Sequence, residues 1–125
     1  MLTVYHNPRC SKSRQALAYL EQQQLSHQIR LYLEQPLSLH ELTALLAGTS
    51  LQDVRDMMRH NDELFIQLGL AEPNVTQQQL LAAIENTPAL LQRPIVANEH
   101  SACVARSIEL LSGWLTQQGY ACDHT

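Results

Sequence analysis

Residues 2–32 read LTVYHNPRCSKSRQALAYLEQQQLSHQIRLY, and the change of period along this stretch decides the fold. Val4 and Tyr5 favour extended backbone, while Asn7 and Pro8 are turn residues that stop a strand. From Ser11 to about Gln23 the apolar positions Ala16, Leu17 and Leu20 recur at the spacing of one helix face. His27 to Tyr32 partly alternates and reads as a second strand. Strand, helix and strand within roughly 30 residues form a βαβ unit, which predicts a parallel pair joined by a right-handed crossover.

Beyond Tyr32 the character changes. Pro36 breaks the chain, and Ser38 with Glu41 matches a capping box that starts a helix through about Ala47. Gly48-Thr49-Ser50 ends it, and Ser50 with Asp53 suggests another cap before a short helix to about Met58. A segment from Asn61 to Leu68 closes at Gly69, and Thr76 with Gln79 is a further capping box that opens a helix ending before Pro88. Residues 36–88 therefore read as an all-helical insertion after the second strand. Pro94–Ala97 and Ala102–Val104 read as a hairpin, and Ser107 caps a last helix carrying Ile108, Leu111, Trp114 and Leu115. The tail from Tyr120 reads as frayed. The order βαβ, helices, ββα predicts an α/β chain with a thioredoxin-like fold, a single domain over residues 1–125.

The totals narrow the function. A net charge of -4 argues against binding to nucleic acid or an anionic membrane surface. No apolar segment approaches the ~20 residues of a membrane span, and no basic stretch leads into an apolar run at the N-terminus. The expected location is the cytoplasm, and size alone favours a monomer. Cys10, Cys103 and Cys122 form an odd set without framework spacing, so a disulfide-stapled fold is not expected.

Cys10 stands at the strand-to-helix turn among Arg9, Lys12 and Arg14. At a helix N-cap its sulfur faces unpaired backbone N–H groups and the positive end of the helix dipole, which favour the thiolate. Ser13 is placed to donate its hydroxyl hydrogen to the same sulfur. Position 13 is also where a CxxC motif has its second cysteine, so Cys10 needs another thiol to complete any redox cycle: Cys103, Cys122 or one from outside the chain. Metal binding is a weak rival, because His6 and Cys10 lack a second Cys/His pair. The other histidines show no ligand spacing. Cys103, between Ala102 and Val104, reads as a buried strand residue, and Cys122 as incidental. In a thioredoxin-like arrangement the turn before the third strand lies beside the first helix, so Arg93 would look onto Cys10. Pro94 is a candidate for a cis peptide there.

His6-Asn-Pro-Arg-Cys10-Ser-Lys-Ser13-Arg14, Leu31-Tyr-Leu33, Gln67-Leu-Gly-Leu-Ala-Glu72 and Arg93-Pro-Ile-Val96 together resemble the glutaredoxin-dependent arsenate reductase family, and within it the short arsenate-reductase-like bacterial proteins. The likeness runs from Thr3 to about Trp114 in collinear order. It implies that Cys10 is the nucleophile that attacks arsenate, and that His6 and Ser13 tune its thiolate. It implies that Arg59, Arg93 and Arg106 surround the oxyanion as a triad. It further implies that no cofactor is bound, that glutathione is co-substrate, and that glutaredoxin resolves the mixed disulfide and arsenite is released. Two other readings share the fold. One is a regulator of the Spx type that binds RNA polymerase, whose usual CxxC switch Ser13 removes. The other is a glutaredoxin-like thiol exchanger, which needs no arginine triad.

Overall fold

The structure is a computed structural model that describes residues 1–120. Strand β1 is Leu2–Tyr5, and alternation buries Leu2 and Val4 on one face of it. Helix α1, Ser11–Gln22, buries Ser13, Ala16 and Leu20 along one stripe and leads to β2, His27–Arg30. The sequence reading carried β2 on to Tyr32. Instead the strand ends at Arg30, because Glu34 and Gln35 both donate their N–H to the Leu31 carbonyl and coil the chain into a turn.

The insertion follows. Helix α2, Leu39–Thr49, starts at Ser38 with the full capping box: Glu41 N–H donates to Ser38 Oγ and Ser38 N–H to Glu41 Oε1. Arg30 at the end of β2 grips the same carboxylate with both terminal nitrogens, at 2.9 and 3.3 Å. Its other bonds go to the carbonyls of Gln35 and Pro36, so one guanidinium fixes the path from strand to helix. Ser50 does not cap the next helix; it ends α2 in the left-handed region at φ 66°. The N-cap is Asp53, whose carboxylate accepts from Arg55 N–H ahead of a 3-10 turn over Val54–Met57. Helix α3, Glu63–Gln67, closes at Gly69 with φ 70°, and α4, Gln77–Asn86, opens with the Thr76–Gln79 capping box. A 3-10 turn, Pro88–Leu90, leads out.

Strands β3, Ile95–Ala97, and β4, Ala102–Val104, form the hairpin, and Ser107 Oγ caps α5, Ile108–Gln117. The sheet order is β2-β1-β3-β4, with β1 parallel to β2 and the other two pairs antiparallel. This is the thioredoxin-like arrangement that the element order predicts. Every residue of β3 is buried because both faces of the sheet are covered. Leu2, Val4, Leu20, Val96, Leu111, Trp114 and Leu115 make the core on the α1 and α5 side. The insertion packs the other face through Tyr32, Leu42, Met57, Leu80, Leu90 and Ile95. Trp114 Nε1 donates to Ser101 Oγ, which donates to the Gly48 carbonyl, so the hairpin tip ties α5 to α2. Gly48 suits this close approach: a Cβ would stand 3.3 Å from the Ala102 backbone nitrogen. Among the described residues no helix is long and apolar enough to cross a membrane. Cys122 and His124 lie outside the described residues.

Candidate active site

The β1–β2 register sets Tyr5 beside Arg30, and the β1–β3 register sets Tyr5 beside Ile95. The loop after β1, the turn after β2 and the corner before β3 therefore meet at one end of the sheet. The loop holds Cys10, the turn holds Tyr32 and the corner holds Arg93-Pro94. That peptide bond is cis. The β4–α5 turn joins them, since Ala105 N–H donates to the Pro94 carbonyl at 2.9 Å.

The Cys10 loop is held from within. Cys10 N–H bonds the Asn7 carbonyl, Arg9 N–H bonds Asn7 Oδ1, and the Arg14 guanidinium reaches back to the Pro8 carbonyl at 2.9 Å. Cys10 is the N-cap of α1 with extended backbone and is partly exposed. Its sulfur closes no cap hydrogen bond of regular geometry, yet the N–H groups of Ser13 and Lys12 and the Arg93 guanidinium face it. Burial alone would raise the thiol pKa; these donors outweigh it and hold the thiol below its ordinary value. The lowering thus comes from backbone dipoles and a distant arginine. Arg9, Lys12 and Arg14, the cations nearest in sequence, are exposed.

Ser13 departs from expectation. Its hydroxyl does not serve the sulfur: it pairs with His6 Nδ1 at 2.6 Å and accepts from Asn7 N–H at 3.1 Å. The Ser13 hydroxyl thus bridges the His6 ring and the Asn7 backbone. Burial, assisted by Arg14, lowers the His6 pKa and keeps the ring neutral. His6 and Ser13 are a buried brace, and only the Ser13 backbone N–H addresses the thiol.

The insertion delivers Arg59. Met58 and Leu91 form an isolated antiparallel bridge, flanked by Arg59 N–H to the Leu90 carbonyl and Gln92 N–H to the Met57 carbonyl. This short pairing brings Arg59 to the segment that runs into Arg93. Asp62 holds the Arg59 guanidinium at 3.1 Å while its other oxygen caps α3. Arg93 differs: its Nε is buried and has no hydrogen-bond partner among the described residues. A buried N–H without an acceptor is costly, about 1–3 kcal/mol, and such groups mark sites where an acceptor belongs. Arg106 is brought near the Pro94 corner only by its backbone; its side chain is exposed and pairs with no described residue.

One residue at the site was not singled out from the sequence. Tyr32, only 1% exposed, packs in the core on the insertion side of the sheet, and burial raises its phenol pKa against the opposing charges of Arg93 and Arg59. The available signal was its place directly after β2, at the end of the parallel pair where ligand crevices form. A cleft of about 460 Å³ opens beside the loop, lined by His6, Asn7, Pro8, Arg9, Leu31, Leu33 and Glu34. A larger cleft of about 540 Å³, between α2 and the β3–β4 hairpin, lies away from Cys10. Cys103 is on β4, opposite Val96, and is partly buried. Burial pushes its thiol up to about 11, so it is a poor nucleophile. Among the described residues no group of His, Cys, Asp and Glu is placed to hold a metal ion.

The assembled chemistry is a thiol of lowered pKa at a helix N-terminus, faced by the Arg93 guanidinium. Comparison with known proteins agrees with it. The chain is 44% identical over 108 residues to an arsenate reductase of Neisseria meningitidis, covering 86% of this chain and 92% of the relative. An arsenate reductase of Haemophilus influenzae is 42% identical over 106 residues, 85% of this chain and 91% of the relative. The solved structure of an arsenate reductase from Vibrio cholerae superposes with TM-score 0.85 at 39% identity, covering 89% of this chain and 95% of that one. The profile of the ArsC family matches residues 5–111, and the chain belongs to that family.

Proposed function

We propose that the protein is an arsenate reductase that uses glutathione and glutaredoxin. The observation that carries this reading is the Arg93 guanidinium set against the Cys10 thiol with its buried Nε–H lacking an acceptor among the described residues. A thiolate repels an anion, so it can attack arsenate only where fixed positive charge offsets the repulsion. Arginine offers planar paired donors that match oxyanion oxygens. Arg93 and Arg59 bind the anion, and Arg106 swings in from the neighbouring turn to complete the triad. Cys10 displaces an oxygen from arsenic and forms a thiol-arsenate adduct.

The adduct is then reduced. Glutathione thiolate attacks the Cys10 sulfur, the sulfur–arsenic bond breaks, and its electron pair stays on arsenic, taking it from the pentavalent to the trivalent state. Arsenite leaves, and the two sulfurs are left oxidised as a mixed disulfide, which glutaredoxin reduces. Two observations favour an outside thiol: Ser13 occupies the place of a local resolving cysteine, and Cys103 is held protonated by burial. The cleft between the Cys10 loop and Leu31–Glu34 gives such a thiol room to approach.

The test is arsenate-dependent NADPH oxidation with glutathione, glutaredoxin and glutathione reductase. Wild type should turn over and Cys10→Ser should not. Absence of wild-type turnover at millimolar arsenate would sink the reading, and retention of the rate when glutaredoxin is omitted would remove its second half.

A further inference from the structure

The cleft beside the Cys10 loop holds two opposite charges that do not meet. Arg9 lines it from the loop and Glu34 from the turn after β2, and both residues are exposed. Three other arginines close on a nearby carboxylate: Arg30 on Glu41, Arg55 on Asp53 and Arg59 on Asp62, all within 3.5 Å. Arg9 and Glu34 form no ion pair with each other or with any described residue. Pro8, Leu31 and Leu33 add an apolar lining, and Leu33 is 45% exposed. At about 460 Å³ the cleft has the size of a small-molecule site. Its walls are held from within. Arg9 N–H bonds Asn7 Oδ1 and Cys10 N–H bonds the Asn7 carbonyl, each at 3.0 Å, while Glu34 N–H bonds the Leu31 carbonyl at 3.0 Å. Arg9 and Cys10 are consecutive, so a molecule held by Arg9 lies along the same loop as the sulfur.

We propose that this cleft binds glutathione, with Arg9 taking a carboxylate and Glu34 the γ-glutamyl ammonium, and that these two residues set the preference among thiols. This deepens the arsenate reductase reading and rests on it for the step the thiol performs. Glutathione carries carboxylates at both ends and an ammonium at one, with methylene groups between them that suit the leucine lining. A neutral thiol would use neither charge, and a purely anionic one would meet repulsion from Glu34. Two separated, opposite charges ask for a zwitterion. In the step, the bound thiol has given its proton to solvent and its sulfur bonds to that of Cys10. The sulfur–arsenic bond breaks, and its electron pair stays on arsenic. Arg9 and Glu34 touch none of these atoms; they fix the tripeptide that brings the second sulfur.

The experiment forms the same mixed disulfide without arsenate. Reduced protein is mixed with glutathione disulfide or with the neutral disulfide of 2-mercaptoethanol, and mass spectrometry follows the adduct on Cys10. The Cys10 thiolate attacks one sulfur, the disulfide bond breaks, and the other half leaves as thiolate. The ratio of the two rates cancels any change in the reactivity of Cys10 itself. Arg9→Gln and Glu34→Gln should each lower that ratio roughly three- to fivefold, the size of a surface ion pair. The Glu34 variant supplies the deciding sign. Losing a negative charge speeds attack on an anionic disulfide if only the general field acts, and slows it if Glu34 holds the ammonium. A ratio that rises or stays level in Glu34→Gln overturns the proposal. A second arm needs no variant and stands if one misfolds: the disulfide of cysteinylglycine lacks the γ-glutamyl group. Scaled by its rate with free N-acetylcysteine, it should react several times more slowly with wild type than glutathione disulfide does, and equal rates overturn the proposal. Either failure leaves the reductase reading standing. A wild type that prefers glutathione disulfide but turns over no arsenate overturns the reductase reading and leaves the cleft a glutathione site.

Discussion

At the residue scale the site depends on one sulfur and what faces it. The depressed thiol pKa follows from Ser13 and Lys12 N–H groups and Arg93 prevailing over burial, whereas Cys103 is raised to about 11 by burial alone. Iodoacetamide at pH 7 should therefore modify Cys10 well before Cys103, a contrast read by mass spectrometry of the tryptic peptides. The sign also fixes a pH trend: the folded state favours the Cys10 thiolate, so this contribution to stability is full above the ordinary thiol pKa and is lost as pH falls through the lowered one. Arg93→Ala removes the charge and leaves the backbone donors. Its alkylation midpoint should move upward, and kcat/KM for arsenate should fall by about 10²–10³-fold. An unchanged midpoint would show that the helix terminus alone sets the thiolate. His6 and Ser13 act one step away, since the Ser13 hydroxyl is committed to His6 Nδ1 at 2.6 Å.

At the element scale, caps decide where helices begin and thereby where the arginines arrive. Both capping boxes, Ser38 with Glu41 and Thr76 with Gln79, stand as the sequence predicts, because each needs only residues three apart. Ser38→Ala should cost about 1 kcal/mol, visible as a drop of about 4 °C in Tm, with arsenate kinetics unchanged. A larger loss would mean that the Arg30 grip on Glu41 depends on the box, since Glu41 serves both. Ser50 suits an N-cap by residue type, but the residue that caps the 3-10 turn is Asp53. Tyr32 extends the strand pattern of β2 but lies beyond the strand's end at Arg30. Local alternation continued past Arg30, whereas the hydrogen bonds of Glu34 and Gln35 to the Leu31 carbonyl closed a turn.

At the scale of the whole molecule, the sheet is a partition between two cores, and the site sits at its end. The insertion has its own hydrophobic cluster against β3, so it is a supporting layer for Arg59 as well as its carrier. Leu80 on α4 is fully buried in that layer. Leu80→Ala should destabilise by roughly 2–5 kcal/mol in a urea melt, a large share of typical stability. With the bridge of Met58 to Leu91 loosened, the KM for arsenate should rise more than the alkylation midpoint of Cys10 moves. Equal effects on both would mean that the layer also shapes the Cys10 loop. Gly48 gives a second check on the packing: Gly48→Val would press on the Ala102 backbone, now 3.3 Å from where a Cβ would lie, and should lower Tm without touching the site.

By itself the sequence determined whatever depends on short spacing: the βαβ period, the helices after β2, the caps at Ser38, Thr76 and Ser107, and a cysteine at a helix start. Those features are local, since a hydrophobic period or a cap acts within one or two turns. The thioredoxin-like element order also raised the expectation that Arg93, just before Pro94, looks onto Cys10. Tertiary structure alone decided how polar groups share partners. It turned the Ser13 hydroxyl to His6, left Arg93 Nε buried without an acceptor among the described residues, and joined Arg59 to Asp62. Each hydrogen-bonding group has few directions to offer, and its partner is the nearest competitor in space. That competition has no counterpart along the chain.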